Sequence, residues 1–387
     1  MTLQTENPPI AEVAAASFQF GKQQEAGRAA VKAWYQGIAD GTDHRQVFRL
    51  FGVAGTGKTT LARHLAEEIN GNVYFAAFTG KAALVLQKSG CPGACTLHSL
   101  LYKAKRTSSG GVVFKLNKDS RLSGAKLLVI DECSMVDQRI ARDLLSFKVP
   151  ILVLGDPAQL PPVKGKGYFT DAKPDVMLTE IHRQARGNPI IRLATDVREG
   201  RDIAYGAYGS SVVIDRPGKR DAADLLAADQ VIVGRNQTRK AFNARLRAHL
   251  GFTEPTPRIG DRLVCLRNDP DAQILNGELF EVAGYRPAPR SDLISLDVKS
   301  EDAPERGNFP VRIHPSFFDG NPDDVDWREL KDTQQFDYGY ALTGHKSQGS
   351  QWGHVMAYDE GQIFGADARR WLYTVITRAS EKLTLIR

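Results

Sequence analysis

The sequence predicts an α/β protein of two parallel-sheet domains, with a small hairpin inserted in the first and a small β-barrel inserted in the second. Three observations carry that expectation. The apolar runs Val47–Phe51, Val73–Phe78, Leu127–Ile130 and Ile151–Leu154 are short and continuous, without alternation, and are separated by helical patterns or loops. Strands of this kind belong to parallel sheets covered on both faces. A second set, Val231–Val233, Tyr340–Thr343, Val355–Tyr358 and Leu383–Ile386, begins beyond the loop around Ala185–Pro189. At 387 residues the chain is also longer than one core usually grows. The expected division is residues 1–187 and 188–387.

The elements follow in chain order. Gln19–Ile38 reads as a helix, and Val47–Phe51 leads directly into a glycine-rich turn. Tyr102–Lys126 is polar and basic, with Gly110-Gly111 between Lys103–Arg106 and Val112–Leu116, the pattern of a hairpin. Pro255–Gln335 is rich in Pro and Asp and carries alternating β patterns at Arg262–Leu266, Leu279–Tyr285, Leu293–Val298 and Phe309–Ile313, the expected inserted barrel.

Composition sets the class. The chain is 42% hydrophobic and 25% charged, ordinary globular usage that favours neither a disordered nor a fibrous protein. Lys plus Arg exceed Asp plus Glu by 51 to 45, a net charge of +6 that suits a polyanionic partner without requiring one. Four cysteines, of which only Cys91 and Cys95 are close in sequence, make neither a disulfide framework nor a zinc site. No apolar run approaches the roughly 20 residues a membrane helix needs, and Met1–Pro9 is polar, so a reducing cytoplasm is the expected setting and no membrane partner is expected.

Gly52-Val53-Ala54-Gly55-Thr56-Gly57-Lys58-Thr59 fits G-x-x-x-x-G-K-[ST] at every required position, between a strand and a helix. In such a loop the amides point at the β-phosphate, Lys58 reaches the β and γ phosphates, and the Thr59 hydroxyl binds Mg²⁺. ATP with Mg²⁺ is therefore the expected cofactor pair. Leu127–Glu132 places two acids at the end of a buried strand. Asp131 there can hold the metal, and Glu132 can polarise an attacking water, which favours hydrolysis over transfer to a small substrate.

Further motifs occur in a characteristic order: Thr79–Ala83, Thr96-Leu97-His98, Asp131–Met135, Gly155–Pro162, Leu178–Arg183, Thr343–Gly349 and Tyr373–Ala379. With the phosphate loop, this ordered set resembles the superfamily 1 helicases, and within them the RecD/Dda-like group, superfamily 1B, from about Phe20 to Lys382. The resemblance implies two RecA-like domains and an SH3-like insertion. It implies ATP-driven movement on single-stranded DNA, 5′ to 3′, with unwinding of forked duplex, by a compact, Dda-like monomer, with replication or single-strand-binding proteins as partners.

Residue roles carry over position by position. Gln24 matches the glutamine that reads adenine, with Gln23 as a rival; Thr60, Gln348 and Gly349 are implied at the nucleotide. Gln159 matches a γ-phosphate sensor, and Arg183 and Arg378 match arginines that reach the γ phosphate. Thr79, Lys81, Thr96 and His98, with Thr343, His345, Lys346 and Ser347, match positions lining the strand channel, capping or solvated side chains being the lesser alternative because Ser and Thr cap helices so often. Phe114, with Val112 and Val113, is the candidate wedge. Trp352, Trp371, Tyr340 and Tyr373 could stack on bases, but packing is the favoured reading. A translocase that does not unwind, an RNA-directed motor and a non-catalytic strand binder are the alternatives.

Overall fold

The computed structural model describes residues 19–106, 112–162, 165–181, 187–216, 221–269, 272–290, 292–326 and 328–387. Arg183, with residues 182–186, and the hairpin tip at 107–111 lie outside them.

The first lobe opens with helix α1 (Lys22–Ala39), then β1 (Val47–Gly52), α2 (Lys58–Glu67), β2 (Val73–Ala77), α3 (Gly80–Lys88), β3 (Cys95–Thr96) and α4 (Leu97–Leu101). The hairpin strands β4 (Tyr102–Arg106) and β5 (Val112–Leu116) follow, then β6 (Leu127–Asp131), α5 (Gln138–Leu145), β7 (Ile151–Gly155) and β8 (Val176–Leu178). Among the described residues these strands form a six-stranded sheet in the order β3-β2-β6-β7-β1-β8. Every pairing in it is parallel.

Alternate residues of β1 enter different cores. Phe48 and Leu50 pack with Val31 and Trp34 of α1 and Leu61 of α2, while Val47 and Phe51 pack with Leu100 of α4 and Ile140 of α5. Helices thus cover both faces, which is why the strands read as mostly apolar runs, with Arg49 of β1 the half-buried exception.

The second lobe contains α6 (Pro189–Glu199), β9 (Gly206–Tyr208), β10 (Ser211–Ile214), α7 (Ala222–Leu226), β11 (Gln230–Val233) and α8 (Asn236–His249). An insertion supplies β12 (Arg262–Cys265), β13 (Leu279–Tyr285), β14 (Ile294–Ser300), β15 (Asn308–Ile313) and β16 (Phe336–Tyr338). The lobe closes with β17 (Ala341–Thr343), β18 (Trp352–Tyr358), α9 (Ala368–Ile376) and β19 (Ala379–Ile386). Its sheet runs β17-β11-β18-β19-β10-β9, parallel except for the β9–β10 edge pair.

The insertion is a five-stranded antiparallel sheet, β15-β14-β13-β12-β16. Its two edges meet through the Gln334 amide, which donates to the Arg312 carbonyl at 2.7 Å. The fifth strand lies beyond residue 335, where the sequence pattern placed the end of the insertion. At three residues, β16 is too short to announce itself by alternation, and Leu263, Val264 and Cys265 of β12 recruit it.

A buried ion pair joins the insertion to α8. Arg247 donates from Nε and Nη2 to the two oxygens of Asp261, each at 2.9 Å, and the Tyr340 hydroxyl and the Arg258 amide donate to the same carboxylate. The side chain of Asp261 is 0% exposed and that of Arg247 6%. Truncating one partner strands a buried charge, so Asp261→Ala is expected to destabilise the fold by about 3–5 kcal/mol, measured by denaturant unfolding.

Candidate active site

The phosphate loop is shaped by its glycines. Gly55 and Gly57 have φ of +80° and +71°, the left-handed region that a side chain disfavours. A Cβ on Gly52 would stand 2.6 Å from Thr56 Oγ1 and 2.9 Å from Leu178 Cβ. Gly57 caps α2 without a side chain, so the helix N-terminus stays open to an anion. Buried Thr56 braces the loop by donating its hydroxyl to the Val53 carbonyl at 2.8 Å. Lys58 lies over the loop, donating from Nζ to the carbonyls of Gly52 at 2.7 Å and Val53 at 3.1 Å.

At the adjoining strand end the Thr59 hydroxyl donates to Asp131 Oδ2 at 2.6 Å, while Asp131 Oδ1 accepts from the Glu132 amide at 2.8 Å. A hydroxyl and a carboxylate are hard oxygen donors, the set that suits Mg²⁺. Glu132 has φ of +51°, a strained backbone for a non-glycine residue. Burial raises its carboxyl above the ordinary range, and Arg378 opposes that shift.

These groups line a cleft of about 280 Å³ shared by the two lobes. Lys58, Thr59, Asp131, Glu132 and Gln159 come from the first lobe; Gly349, Ser350 and Arg378 come from the second. Gln159 lines the cleft, is 7% exposed, and its buried Oε1 has no hydrogen-bond partner among the described residues, an acceptor with unmet capacity. Gly349 has φ of +74°, and a Cβ there would lie 2.8 Å from Ala82 Cβ, so only glycine lets this turn meet α3 so closely. Arg378 is buried and donates to the Thr374 carbonyl at 3.0 Å, the Ser350 carbonyl at 3.1 Å and Thr377 Oγ1 at 3.2 Å.

Other expected nucleotide residues frame the loop instead of lining the cleft. Gln24 is buried, accepting from the Gly21 amide at 2.9 Å and donating to the Thr56 carbonyl at 3.0 Å. Its rival Gln23 is tied to the Thr179 and Glu180 amides at 2.7 and 2.9 Å. Gln348 is buried and donates to the Leu160 carbonyl at 2.9 Å. Thr60 sits in the first turn of α2, half-buried.

The expected strand-contacting residues are placed less simply. Thr79 and Thr96 cap α3 and α4, accepting from Ala82 N and Ser99 N, each at 3.2 Å. Ser347 is fully buried and donates to the Gly344 carbonyl at 2.8 Å, and buried Thr343 accepts from Lys346 N at 3.4 Å. Lys81 is not presented to solvent: its Nζ lies 3.2 Å from Asp302 Oδ1 and 4.4 Å from the centre of the Trp352 ring. Burial lowers its pKa and Asp302 opposes the shift.

Lys346 Nζ reaches Asn276 Oδ1 at 3.3 Å, and the His345 ring lies 5.5 Å from Phe364. His98 is exposed, its ring 5.8 Å from Phe78 and 5.7 Å from Tyr102 at the root of the hairpin. Phe114 and Val113 on β5 are 51% and 44% exposed, large apolar side chains in water.

Several contacts were not foreseeable from sequence. Asp302 and Leu275 of the insertion meet α3 across the lobes, and a Cβ on Gly80 would lie 2.3 Å from Leu275 Cβ. Gly80→Val is therefore expected to push the insertion off α3 and lower the thermal midpoint, by about 1–3 kcal/mol in stability, measured by thermal unfolding. Tyr373, for which packing was favoured, also makes two hydrogen bonds into the first lobe.

Known proteins match this arrangement. A family described as an AAA domain matches residues 35–215, and one described as a UvrD-like helicase C-terminal domain matches residues 338–386. The ATP-dependent DNA helicase dda of Enterobacteria phage T4 is 34% identical over 317 residues, 72% of this chain and 70% of that one. The chain belongs to superfamily 1B, the RecD/Dda-like helicase family.

The ATP-dependent RecD2 DNA helicase of Deinococcus radiodurans is 31% identical over 369 residues, 88% of this chain and 46% of that one. The chain thus spans about half the length of that relative. Among solved structures, two coordinating Pif1 helicases unwinding forked dsDNA give a TM-score of 0.59 at 20% identity, covering 95% of this chain and 92% of that one. Bacteroides Pif1 bound to ssDNA gives 0.58 at 19% identity with the same coverage. The two share the family's two-lobed fold with this chain.

Proposed function

We propose that the chain is an ATP-dependent DNA helicase that moves 5′ to 3′ along single-stranded DNA and unwinds forked duplex. One observation carries the reading: the phosphate loop, Asp131, Glu132 and Gln159 of one lobe face Gly349 and Arg378 of the other across a single cleft. A nucleotide there touches both lobes, so its binding and hydrolysis alter how they sit together.

In this mechanism the loop amides and Lys58 hold the β and γ phosphates. Thr59 and Asp131 hold Mg²⁺, which neutralises phosphate charge when bound. Glu132 accepts a proton from the attacking water, and Gln159 offers its unpaired oxygen to that water or its amide to the γ phosphate. Arg378, joined by Arg183, releases its carbonyl partners to meet charge developing on the γ phosphate. Gln24 fixes the loop and exchanges its partners to read adenine.

The strand lies across both lobes, over Thr79, Lys81, Thr96 and His98 on one side and Thr343, His345 and Lys346 on the other, with buried Ser347 holding the turn beneath them. Contacts of this kind grip phosphate without sequence preference. Lys81 must then exchange Asp302 for a phosphate. We assign residues 1–187 and 188–387 to the two lobes, the 255–335 region with β16 to an SH3-like module, and the hairpin to strand separation. The helicase acts as a monomer in the cytoplasm, beside single-strand-binding or replication proteins.

The deciding experiment is unwinding of duplexes carrying a 5′ or a 3′ single-stranded tail, with ATP and Mg²⁺. The 5′-tailed substrate should be separated and the 3′-tailed one left intact; separation of neither, with normal hydrolysis, would make the chain a translocase that does not unwind. Stimulation of hydrolysis by RNA but not by DNA would make it an RNA motor. The double variant Val113→Ser, Phe114→Ser should keep strand-stimulated hydrolysis within about twofold of normal, since surface changes cost little stability. It should slow unwinding about tenfold or more, the loss of roughly 1.4 kcal/mol of help to the barrier, and unwinding at the normal rate would remove the hairpin from the mechanism.

A further inference from the structure

We infer that Tyr373 is a positioning residue for hydrolysis: its phenol, seconded by Thr374, pins the end of α9 to the phosphate loop and so sets where Arg378 stands. Tyr373 is 2% exposed. Its hydroxyl accepts from the Ala54 amide at 3.1 Å and donates to the carboxylate of buried Asp156. Ala54 belongs to the phosphate loop, and Asp156 lies at the head of the segment that carries Gln159. One hydroxyl from the second lobe therefore bridges the two first-lobe segments that face the nucleotide.

The next residue repeats the link. Thr374 Oγ1 accepts from the Leu160 amide at 2.9 Å, and Gln348 donates to the Leu160 carbonyl at 2.9 Å. Arg378 follows within a turn and a half, and its Nε donates back to the Thr374 carbonyl at 3.0 Å. The backbone that carries the guanidinium thus leaves directly from the turn that the phenol and the threonine hold against the loop, and stays fixed there when the guanidinium changes partners. Any shift of α9 relative to Ala54 moves Arg378 by a comparable distance, and positioning errors of about 1 Å can cost about 100-fold in rate.

Burial and the neighbouring Asp156 both push the Tyr373 phenol well above its ordinary pKa. It stays protonated, a donor to Asp156 under all working conditions. The arrangement needs no new chemistry from Tyr373, whose hydroxyl is already engaged by Ala54 and Asp156.

The inference rests on the hydrolytic reading of the cleft. The test is a double-mutant cycle on the full chain, with Tyr373→Phe, Arg378→Ala and the double variant, scoring single-strand-stimulated kcat and the KM for ATP. Tyr373→Phe should lower kcat about 10- to 100-fold and move KM by less than about 3-fold, because the loop still binds phosphate. In the double variant the losses should fall well short of multiplying, since an arginine already misplaced has little left to lose.

A merely structural tyrosine would lower the thermal midpoint but give multiplying losses at a temperature where each variant is folded. Normal kcat in Tyr373→Phe, or losses that multiply, overturns the inference. Should Tyr373→Phe not fold, Thr374→Val removes the second tether, with the same kcat loss and the same sub-multiplicative cycle expected. Absence of hydrolysis in the unaltered chain would count against the proposed function; hydrolysis in the unaltered chain with an indifferent Tyr373→Phe counts against this inference alone.

Discussion

Arg378→Ala is expected to lower single-strand-stimulated ATP hydrolysis by about 1,000-fold or more, the range for removing an arginine that meets a transferring phosphoryl group. The expectation follows from where the guanidinium stands. It lines the cleft with Lys58, Asp131 and Glu132, yet its present partners are all oxygens of its own lobe, at 3.0, 3.1 and 3.2 Å. An arginine held by neutral acceptors at the cleft wall can exchange them for a phosphate oxygen at modest cost.

Arg378→Lys should recover little, because an ammonium lacks the planar fork that spans several acceptors. Loss of the buried side chain also leaves the Ser350 carbonyl without its donor, at about 1–3 kcal/mol of stability, while the Thr374 carbonyl keeps the Thr377 hydroxyl at 2.8 Å. The rate must therefore be measured below the variant's unfolding transition, and kcat is the quantity that decides.

Glu132→Gln is expected to cost about 100- to 10,000-fold in hydrolysis, the range for general base catalysis, while leaving nucleotide binding nearly normal. Glutamine keeps the size of the side chain and can keep the left-handed backbone at φ of +51°, so the lesion is confined to the proton acceptor. Equilibrium binding of a non-hydrolysable ATP analogue beside single-turnover hydrolysis separates the two. A strained, half-buried carboxylate beside Arg378 in the cleft is placed for chemistry better than for stability.

The fold was largely readable from local pattern, and the parts that were not have physical causes. β1, β2, β6 and β7 could be found because helices cover both of their faces and force most positions to be apolar, half-buried Arg49 of β1 and the terminal Asp131 of β6 excepted. β3, β8 and β16, at two to three residues each, carry no periodicity and exist only because a longer neighbour supplies their hydrogen bonds. α1 begins at Lys22, three residues later than the pattern suggested, where the Gln24 side chain accepts from the Gly21 amide.

The cleft divides the same way. Gly52–Thr59 was legible because a phosphate loop is a contiguous backbone shape written in glycines. The partners of Lys81, Gln348 and Tyr373 were not, since Asp302, Leu160, Ala54 and Asp156 are remote in sequence and meet them only when the lobes pack together. The family resemblance implied a strand-contacting role for Lys81 but could not reveal that an acid from the insertion already occupies its ammonium. Arg183 was singled out with equal reason and lies outside the described residues.

The central claim is that a nucleotide held by the first lobe is completed by Arg378 of the second while single-stranded DNA lies across both. Its most direct test is the steady-state ATPase rate with and without single-stranded DNA, for the unaltered chain and for Arg378→Ala. Strong stimulation by the strand is expected in the unaltered chain, and near-complete loss of turnover in the variant. Vigorous hydrolysis that ignores added DNA, or that survives the loss of Arg378 in a folded protein, would contradict it.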